Sequence, residues 1–495
     1  MYSCGPTVYR HAHVGNLRTF LLPDLIRRTL LYHGSEVFHV QNITDVGHLR
    51  DERLGGGEDP MLIAAGLEGR TPAEIADAYE AAFHADAALI NLLPAHVYPR
   101  ATEHIPEMIA LAERLEDAGH AYATPARNVY YAVASYPEYG RLSGNTLDAL
   151  RAGHRGAIEP DKRDPADFAL WKAAGEGRLL KWPSPRWGDG FPGWHLECSA
   201  MALCHLGARF DIHTGGADNV FPHHEDEIAQ SAPLVGGPPA HTWVHGAFLT
   251  TGGRKMAKSA GNFQRITALV DEGIDPLAFR YLALASRYAR KLSYSDASLG
   301  AAAAGLESLR ERLRQLGPPP AAGNWAAPEG LRAAAAGDRP PGVAGGDAGH
   351  GGDGRRLPRL DRAQDPAAPL SERGRALHRR FADALDDDLD LPTALATVRQ
   401  IARSRLPPDE RRWLMLDAEL VLGLGLDRVW DEQPPDDLPP GAAELLAVRA
   451  SARDGRDWAR ADTLRRELSA LGVEVTDTPD GQRARRAPDR LSRPR

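Results

Sequence analysis

The chain holds 495 residues, about three domains' worth at roughly 150 each, and its 43% hydrophobic and 25% charged content is that of a globular protein. No apolar run approaches the roughly 20 residues that cross a bilayer, Met1 to Arg10 lacks the pattern of a secretory signal, and three cysteines (Cys4, Cys198, Cys204) cannot make a disulfide framework. A membrane span and a secreted scaffold are excluded, a reduced cytoplasmic setting is expected, and the net charge of −8 argues against indiscriminate coating of nucleic acid.

Residues 2–9 read as a strand interrupted by Gly5-Pro6, Leu17 to Tyr32 as a buried helix, and Val37 to Val40 as a second strand. Together they make one β-α-β unit, the seed of a parallel sheet with helices on its faces. Pro72 to Asn91 and Ile105 to Ala118 follow as amphipathic helices, the first opened by Thr71 as N-cap with Pro72 at the first helical position. Asn128 to Tyr139 reads as strand material in an insertion, and 181–193, rich in Trp, Pro and Gly, as a loop. Elements near Phe210 to His213 and Trp243 to Leu249 restore the alternating pattern. Leu306, Leu309, Leu313 and Leu316 share one helical face, ended by Gly317-Pro318-Pro319-Pro320. From Gly317 to Arg356, 27 of 40 residues are Ala, Gly or Pro, too little apolar surface to offset chain ordering, and a disordered linker is expected. Helices resume over Glu372 to Leu385 and Thr393 to Arg403. After the breaker-rich joint Pro434 to Pro440, Ala442 to Leu471 reads as helix and Val473 to Gly481 as strand and turn. The tail from Gln482 to Arg495 carries six arginines against one aspartate, a local basic patch.

Three constellations can carry chemistry. His13-Val14-Gly15-Asn16 lies between a strand and a helix N-terminus, where unpaired N–H groups and partial positive charge suit phosphate. Gly15 admits a base or ribose close to the backbone, and an imidazole can donate to phosphate oxygens; the same tetrapeptide equally fits a plain helix cap or turn. Lys255-Met256-Ala257-Lys258-Ser259 is flanked by glycines. Only six of the 59 basic residues are lysine, and two of them stand here, three apart, where compact ammonium groups could neutralise a departing pyrophosphate. The bland reading is a solvated basic loop. Cys198 with His223-His224-Glu225-Asp226-Glu227 offers a thiolate, an imidazole and a carboxylate, a set that suits zinc with a fourth ligand. His223 and Glu227 share a face if the segment is helical, and Cys4 at the end of the first strand is the candidate fourth ligand. A capped helix start after Pro222 is the alternative, and Cys204 reads as a small core residue.

Taken in order, Cys-Gly-Pro-Thr-Val-Tyr at 4–9, His-Val-Gly-Asn at 13–16, Gly-Trp-His-Leu-Glu-Cys-Ser at 193–199, Phe-Pro-His-His-Glu-Asp-Glu-Ile-Ala-Gln-Ser at 221–231 and Lys-Met-Ala-Lys-Ser at 255–259 resemble the cysteinyl-tRNA synthetases. The resemblance continues through Asp386 to Asp390, Trp458 to Asp462 and Asp477 to Gly481. It implies a class I synthetase of α/β class: a Rossmann-type parallel-sheet catalytic domain over 1–255 with an insertion at about 115–180, then a signature-loop and helical connector over 256–316. After the disordered linker 317–370 would come an α-helical tRNA-binding bundle over 371–433 and a small α+β anticodon-binding module over 441–495.

By the same resemblance, His13, Gly15, Asn16, Gly215, Gly216 and Asp218 contact ATP, and Lys255 and Lys258 stabilise the pyrophosphate, Lys258 touching ATP directly. Thr44 and Trp194 line the cysteine pocket, and Cys4, Cys198, His223 and Glu227 hold one Zn2+ that discriminates the substrate thiol from a serine hydroxyl. The substrates implied are L-cysteine, ATP accompanied by Mg2+, and tRNA(Cys), handled by a monomer. The chain departs from the family at Ala257, where serine is usual, and at Ala484, where a tryptophan able to stack on an anticodon base is common. The family also carries some twenty or more residues before the strand bearing Cys4, whereas here Met1 falls within it, so fraying of that strand is expected. A runner-up is the related ligase that joins cysteine to a glucosaminyl-inositol in mycothiol synthesis, which lacks a C-terminal tRNA-reading module. A synthetase-derived tRNA-binding protein without activity would be a third reading, one that the presence of every candidate ligand and both lysines disfavours.

Overall fold

The computed structural model describes residues 1–46, 59–153, 160–176, 178–255, 264–319, 360–366, 368–430, 441–455, 457–478 and 481–486, with Leu331, Ala334 and Pro439 besides. A four-stranded parallel sheet organises the first half. Its strands Tyr2–Ser3, Val40–Gln41, Phe210–Gly216 and Ala240–Gly246 lie in the spatial order second, first, third, fourth. The chain thus winds one way from the first strand and the other way from the third, and the reversal falls between Tyr2–Ser3 and Phe210–Gly216. In open parallel sheets such a switch point leaves a crevice beyond the carboxyl ends of the two strands, where ligands bind. The first strand, expected to fray, is packed and paired in the sheet. Met1 and Tyr2 are buried, the Met1 amine donates to the Phe38 carbonyl at 2.7 Å, and the strand has partners on both sides.

The helix Val14–Tyr32 connects the first two strands and packs on the sheet with most of its residues buried, as a helix apolar almost all round must be. Pro72–Leu89 begins as its sequence predicts. Thr71 accepts from the Glu74 N–H at 3.3 Å, and Glu74 accepts from the Thr71 N–H at 2.8 Å, a reciprocal capping box.

Between the second and third strands stands an antiparallel five-stranded sheet in the order Ala121–Ala123, Val129–Tyr131, Phe168–Ala173, Gly188–Pro192, Trp182–Ser184. The loop expected over 181–193 is therefore wrong: two strands occupy it. Pro183 is tolerated because its strand is the sheet's edge, where no N–H is needed on the outer side, and buried Trp187 and Phe191 anchor the hairpin.

Three further helices, Glu372–Asp386, Leu391–Arg403 and Pro408–Leu422, pack together and against Val14–Tyr32 and Asp296–Arg314. Most of 317–370 lies outside the described residues, but its end is packed rather than disordered. Ala363, Ala368 and Leu370 are buried, Arg362 pairs with Asp417 at 2.6 Å, and the Leu360 N–H donates to the His33 carbonyl. Ala442–Asp454 and Trp458–Ala470 are two helices rather than one, the second capped by Asp457, and they pack with the hairpin Val473–Thr478/Gly481–Arg486. Ala484 sits in that hairpin opposite Val475. Among the described residues no helix is long and apolar enough to cross a membrane.

Candidate active site

At the switch point the first strand ends in Cys4, whose N–H donates to the Thr214 carbonyl at 3.1 Å and so continues the pairing. The chain then turns so tightly along Asn42 that a Cβ at Gly5 would overlap the Asn42 carbonyl, while the Gly5 N–H donates to Asn42 Oδ1 at 2.9 Å. Glycine is the one residue this approach admits. Asn42 Nδ2 in turn donates to Thr44 Oγ1 at 3.0 Å, and the Thr44 N–H to the Pro6 carbonyl, so Thr44 is held alongside Cys4-Gly5-Pro6.

The helix Trp194–Leu206 supplies Trp194 at its first position and buried Cys198 one turn later. The turn Val220–His224 and the helix Glu225–Val235 supply the rest. The ligand atoms of Cys4, Cys198, His223 and Glu227 all lie within 4.8 Å of one another. His223 Nε2 is 3.2 Å from Glu227 Oε1, and its Nδ1 is 2.8 Å from His195 Nδ1. His195 continues to Asp226 at 3.3 Å, and Asp226 accepts from the Tyr139 hydroxyl of the insertion, a chain of second partners that fixes the ring of His223. Trp194 packs against that ring, centroids 5.1 Å apart.

A second, overlapping set contains Cys4, His213, His224 and Glu227. His213 Nε2 donates to Glu227 Oε2 at 2.9 Å, His224 Nε2 lies 3.3 Å from Cys4 Sγ, and His224 Nδ1 is 2.8 Å from His245 Nε2. Sequence reasoning missed His195, His213 and His245. Three histidines on core strands or in the buried half of a helix were the available signal, since an imidazole is placed there only with a partner.

The cluster is electrostatically tense. The neighbouring Cys198 thiol, which donates to it, and the imidazoles of His224 and His223 hold Cys4 well below the ordinary thiol range, against the effect of burial. Cys198, left holding the proton beside Cys4 and buried, is pushed up. Burial works against a charged His223, but the Cys4 thiolate, Glu227 and Asp226 outweigh it and raise the ring to about 9. Burial, reinforced by His224 and His213, drives His245 down to about 4. Glu227 Oε1 is buried and faces His223 Nε2 at 3.2 Å without a well-formed hydrogen bond. Two sulfurs, an imidazole and a carboxylate oxygen on a common centre fit a tetrahedral ion of the zinc type.

Of the other expected residues, His13, Gly15, Asn16 and Asp218 follow the first and third strands in the chain, and Gly215 and Gly216 end the third. His13 is the N-cap of Val14–Tyr32: its Nδ1 accepts from the Asn16 N–H at 3.1 Å while Asn16 Oδ1 accepts from the His13 N–H. The cap reading of that tetrapeptide is thus correct as structure, and it fixes the tautomer with a proton on Nε2. Gly215 and Gly216 end the third strand, and Asp218 is exposed on the following turn, where Asn219 Oδ1 accepts from the Gly216 N–H at 2.8 Å. Lys255 lies in the short strand Arg254–Lys255, and Lys258 lies outside the described residues. The Gln264 carbonyl accepts from the Val14 N–H at 3.0 Å, at the helix N-terminus that carries His13. Cys204 is exposed, not a core residue: it sits on the outer side of the last turn of its helix.

Comparison with known proteins agrees with this geometry. The model of the tRNA synthetases class I (C) catalytic domain matches residues 1–304, and that of the cysteinyl-tRNA ligase anticodon binding domain matches 435–485. A cysteine–tRNA ligase of Thermus thermophilus is 39% identical over 98% of this chain and 94% of its own length. One of Burkholderia lata is 41% identical over 98% and 91%. In fold, the chain resembles a methionyl-tRNA synthetase of Mycobacterium tuberculosis bound by methionyl-adenylate, with TM-score 0.52 at 15% identity over 93% of this chain and 96% of the other. With the catalytic-domain model matching well over half its length and relatives near 40% identity end to end, the chain belongs to the class I (C) tRNA synthetases, the family of the cysteine–tRNA ligases.

Proposed function

We propose that the chain is a cysteine–tRNA ligase. It activates L-cysteine with ATP, the carboxylate attacking the α-phosphorus and pyrophosphate leaving, and passes the cysteinyl group to the 3′-terminal adenosine of tRNA(Cys). The observation that carries the reading is the convergence of Cys4, Cys198, His223 and Glu227 at the sheet's switch point. Zinc held by these four would supply a soft position that takes a thiolate and not a serine hydroxyl, a distinction that pocket shape alone makes only poorly. That thiol-bearing ligand set also supports a reducing, cytoplasmic setting.

The chain's own residues position and neutralise. Thr44 and Trp194 flank the metal cluster and bound the amino-acid pocket. The His13 Nε2–H, oriented by its cap, donates to phosphate oxygens at the positive end of the helix Val14–Tyr32, with Gly15 and Asn16 in the same first turn. Gly216 and Asp218 border the adenosine, the carboxylate reaching the ribose hydroxyls, while Gly215 leaves the space that His224 fills beside Cys4. Lys255, in the strand Arg254–Lys255, and Lys258 offset charge on the leaving pyrophosphate with its Mg2+. No protein nucleophile is required, so positioning and charge stabilisation carry the rate.

The C-terminal match to an anticodon binding domain favours this reading over the amino-sugar ligase. Charging of tRNA(Cys), measured against ligation to glucosaminyl-inositol, separates the two. Lys258→Ala should reduce cysteine-dependent ATP–pyrophosphate exchange by at least about a hundredfold, in the range of lost transition-state contacts, while metal content is unchanged. Exchange equal to that of the parent enzyme would refute the lysine's role.

A further inference from the structure

A second convergence of metal donors lies on the protein surface, apart from the crevice. Cys204 and His205 close the last turn of the helix Trp194–Leu206, and His104 ends the turn Ala101–His104 packed beside it. The ligand atoms of these three residues lie within 4.8 Å of one another. His104 and His205 face each other through their Nε2 atoms, 2.9 Å apart. Two imidazoles on one tetrahedral ion, with bonds of about 2.0–2.1 Å, bring their nitrogens to only slightly more than that.

The surroundings resemble those of a built ligand set. His104 Nδ1 donates to the Arg100 carbonyl at 2.8 Å, which fixes the tautomer and presents a lone pair on Nε2, as outer partners of metal-bound imidazoles do. His104 is buried, so its ring is held by packing, while Cys204 is exposed and gives solvent access. Glu107, three residues beyond His104, is near enough for its charge to act on the Cys204 sulfur, and adds negative charge where a cation would sit. Cys204 lies six positions after Cys198, about 9 Å along the helix at 1.5 Å per residue and about a third of a turn away in direction, so the sulfurs serve different sites.

We propose that His104, Cys204 and His205 form a second, exchangeable site for a borderline divalent cation such as Zn2+, with its fourth position open to solvent. Thiolate and imidazole donors select this class over Mg2+ or Ca2+, and three protein ligands with one open position make a site that can fill and empty. An ion there ties the helix that carries Trp194 and Cys198 to the turn 101–104, whose Ala101 N–H donates to the Ile43 carbonyl next to Thr44. It thereby staples together two elements that border the crevice.

The test is metal titration of the full-length protein, first stripped of weakly held ions and then equilibrated with Zn2+ and, separately, Co2+. The parent protein should bind one more equivalent than Cys204→Ser, and that extra Co2+ should show a thiolate-to-metal charge-transfer band that Cys204→Ser lacks. His104→Gln should weaken the extra site at least tenfold. All three proteins should keep equal cysteine-dependent ATP–pyrophosphate exchange without added metal, which shows that they are folded. Equal stoichiometry in the parent and Cys204→Ser, or an extra equivalent without the charge-transfer band, would overturn the proposal.

Discussion

Gly215 is the position where two explanations of one residue can be separated by experiment. As a loop glycine near the adenosine it would matter to ATP; the structure gives it another role. A Cβ there would lie 2.8 Å from His224 Cε1, 2.9 Å from Nε2 and 3.0 Å from Asn219 Cβ, where ordinary contact begins near 3.4 Å. For Gly215→Ala, His224 must therefore retreat by about half an ångström or more. It has little room. His224 is fully buried, its ring packs on His213 with centroids 4.3 Å apart and on Trp243 at 4.9 Å, and its Nε2 is 3.3 Å from Cys4 Sγ. Overpacking of this kind costs about 1–3 kcal/mol of stability, and misplacement of catalytic groups by up to an ångström costs up to about a hundredfold in rate. The expected result for Gly215→Ala is a raised KM for cysteine and weakened metal retention, with the KM for ATP nearly unchanged. Exchange kinetics in both substrates, metal content and a thermal melt report these together. A rise in the KM for ATP alone, with metal and cysteine affinity intact, would refute the reasoning and return Gly215 to the adenosine.

Arg280 tests the junction between the catalytic domain and the bundle. Its fully buried guanidinium donates to the Leu422, Ile90 and Asn91 carbonyls and to Asp24 Oδ2 at 2.6–3.0 Å; Arg280→Met removes these donors, leaving Asn91 and Asp24 to Arg28 alone among the arginines. A loss of about 3–5 kcal/mol is expected in urea unfolding, and a loss below about 1 kcal/mol would show that the junction is held by packing alone. Glu419 tests pH dependence. Burial, with Asp427 adding, raises it from 4.5 to about 7, against the N–H groups of Leu424 and Gly425 and the charge of Arg28. Between these values the folded state binds a proton that the unfolded state does not, so this group's contribution is full below pH 4.5 and falls by about 3 kcal/mol as pH rises to about 7. Glu419→Gln should gain on the parent protein by about that amount between pH 5 and pH 8 in denaturant titrations; a pH-independent difference would contradict it.

The elements legible in the sequence were those whose signals are local. The box Thr71/Glu74 and the dense apolar run before Tyr32 each specify a helix without reference to the rest of the chain. Pro408–Leu422 escaped notice because it is buried on nearly every side and its interior is partly ionic: Asp417 meets Arg362, His378 and Tyr32 inside the bundle. No amphipathic period survives in such a helix. The motif residues of the metal cluster could be named from the sequence, but their meeting could not be derived from spacing. Parallel pairing of Tyr2–Ser3 with Phe210–Gly216 brings Cys4 to Cys198 and the two histidines, a long-range fact of topology. His104 and Cys204 were likewise unreadable, because they come together only where the turn Ala101–His104 packs on the helix Trp194–Leu206.

The helix Val14–Tyr32 begins at the reaction crevice and ends against the bundle, where the Tyr32 hydroxyl donates to Asp417 at 2.6 Å and Arg28 donates to the Leu420 carbonyl. Its 19 residues make a rod of about 28 Å. A single continuous helix thus links the positive end at His13 to the helices that follow the linker, with Pro23 in its interior. One residue inserted midway would turn the far end by about 100° and lengthen the helix by about 1.5 Å, so alignment between the two parts depends on the count of residues along one helix.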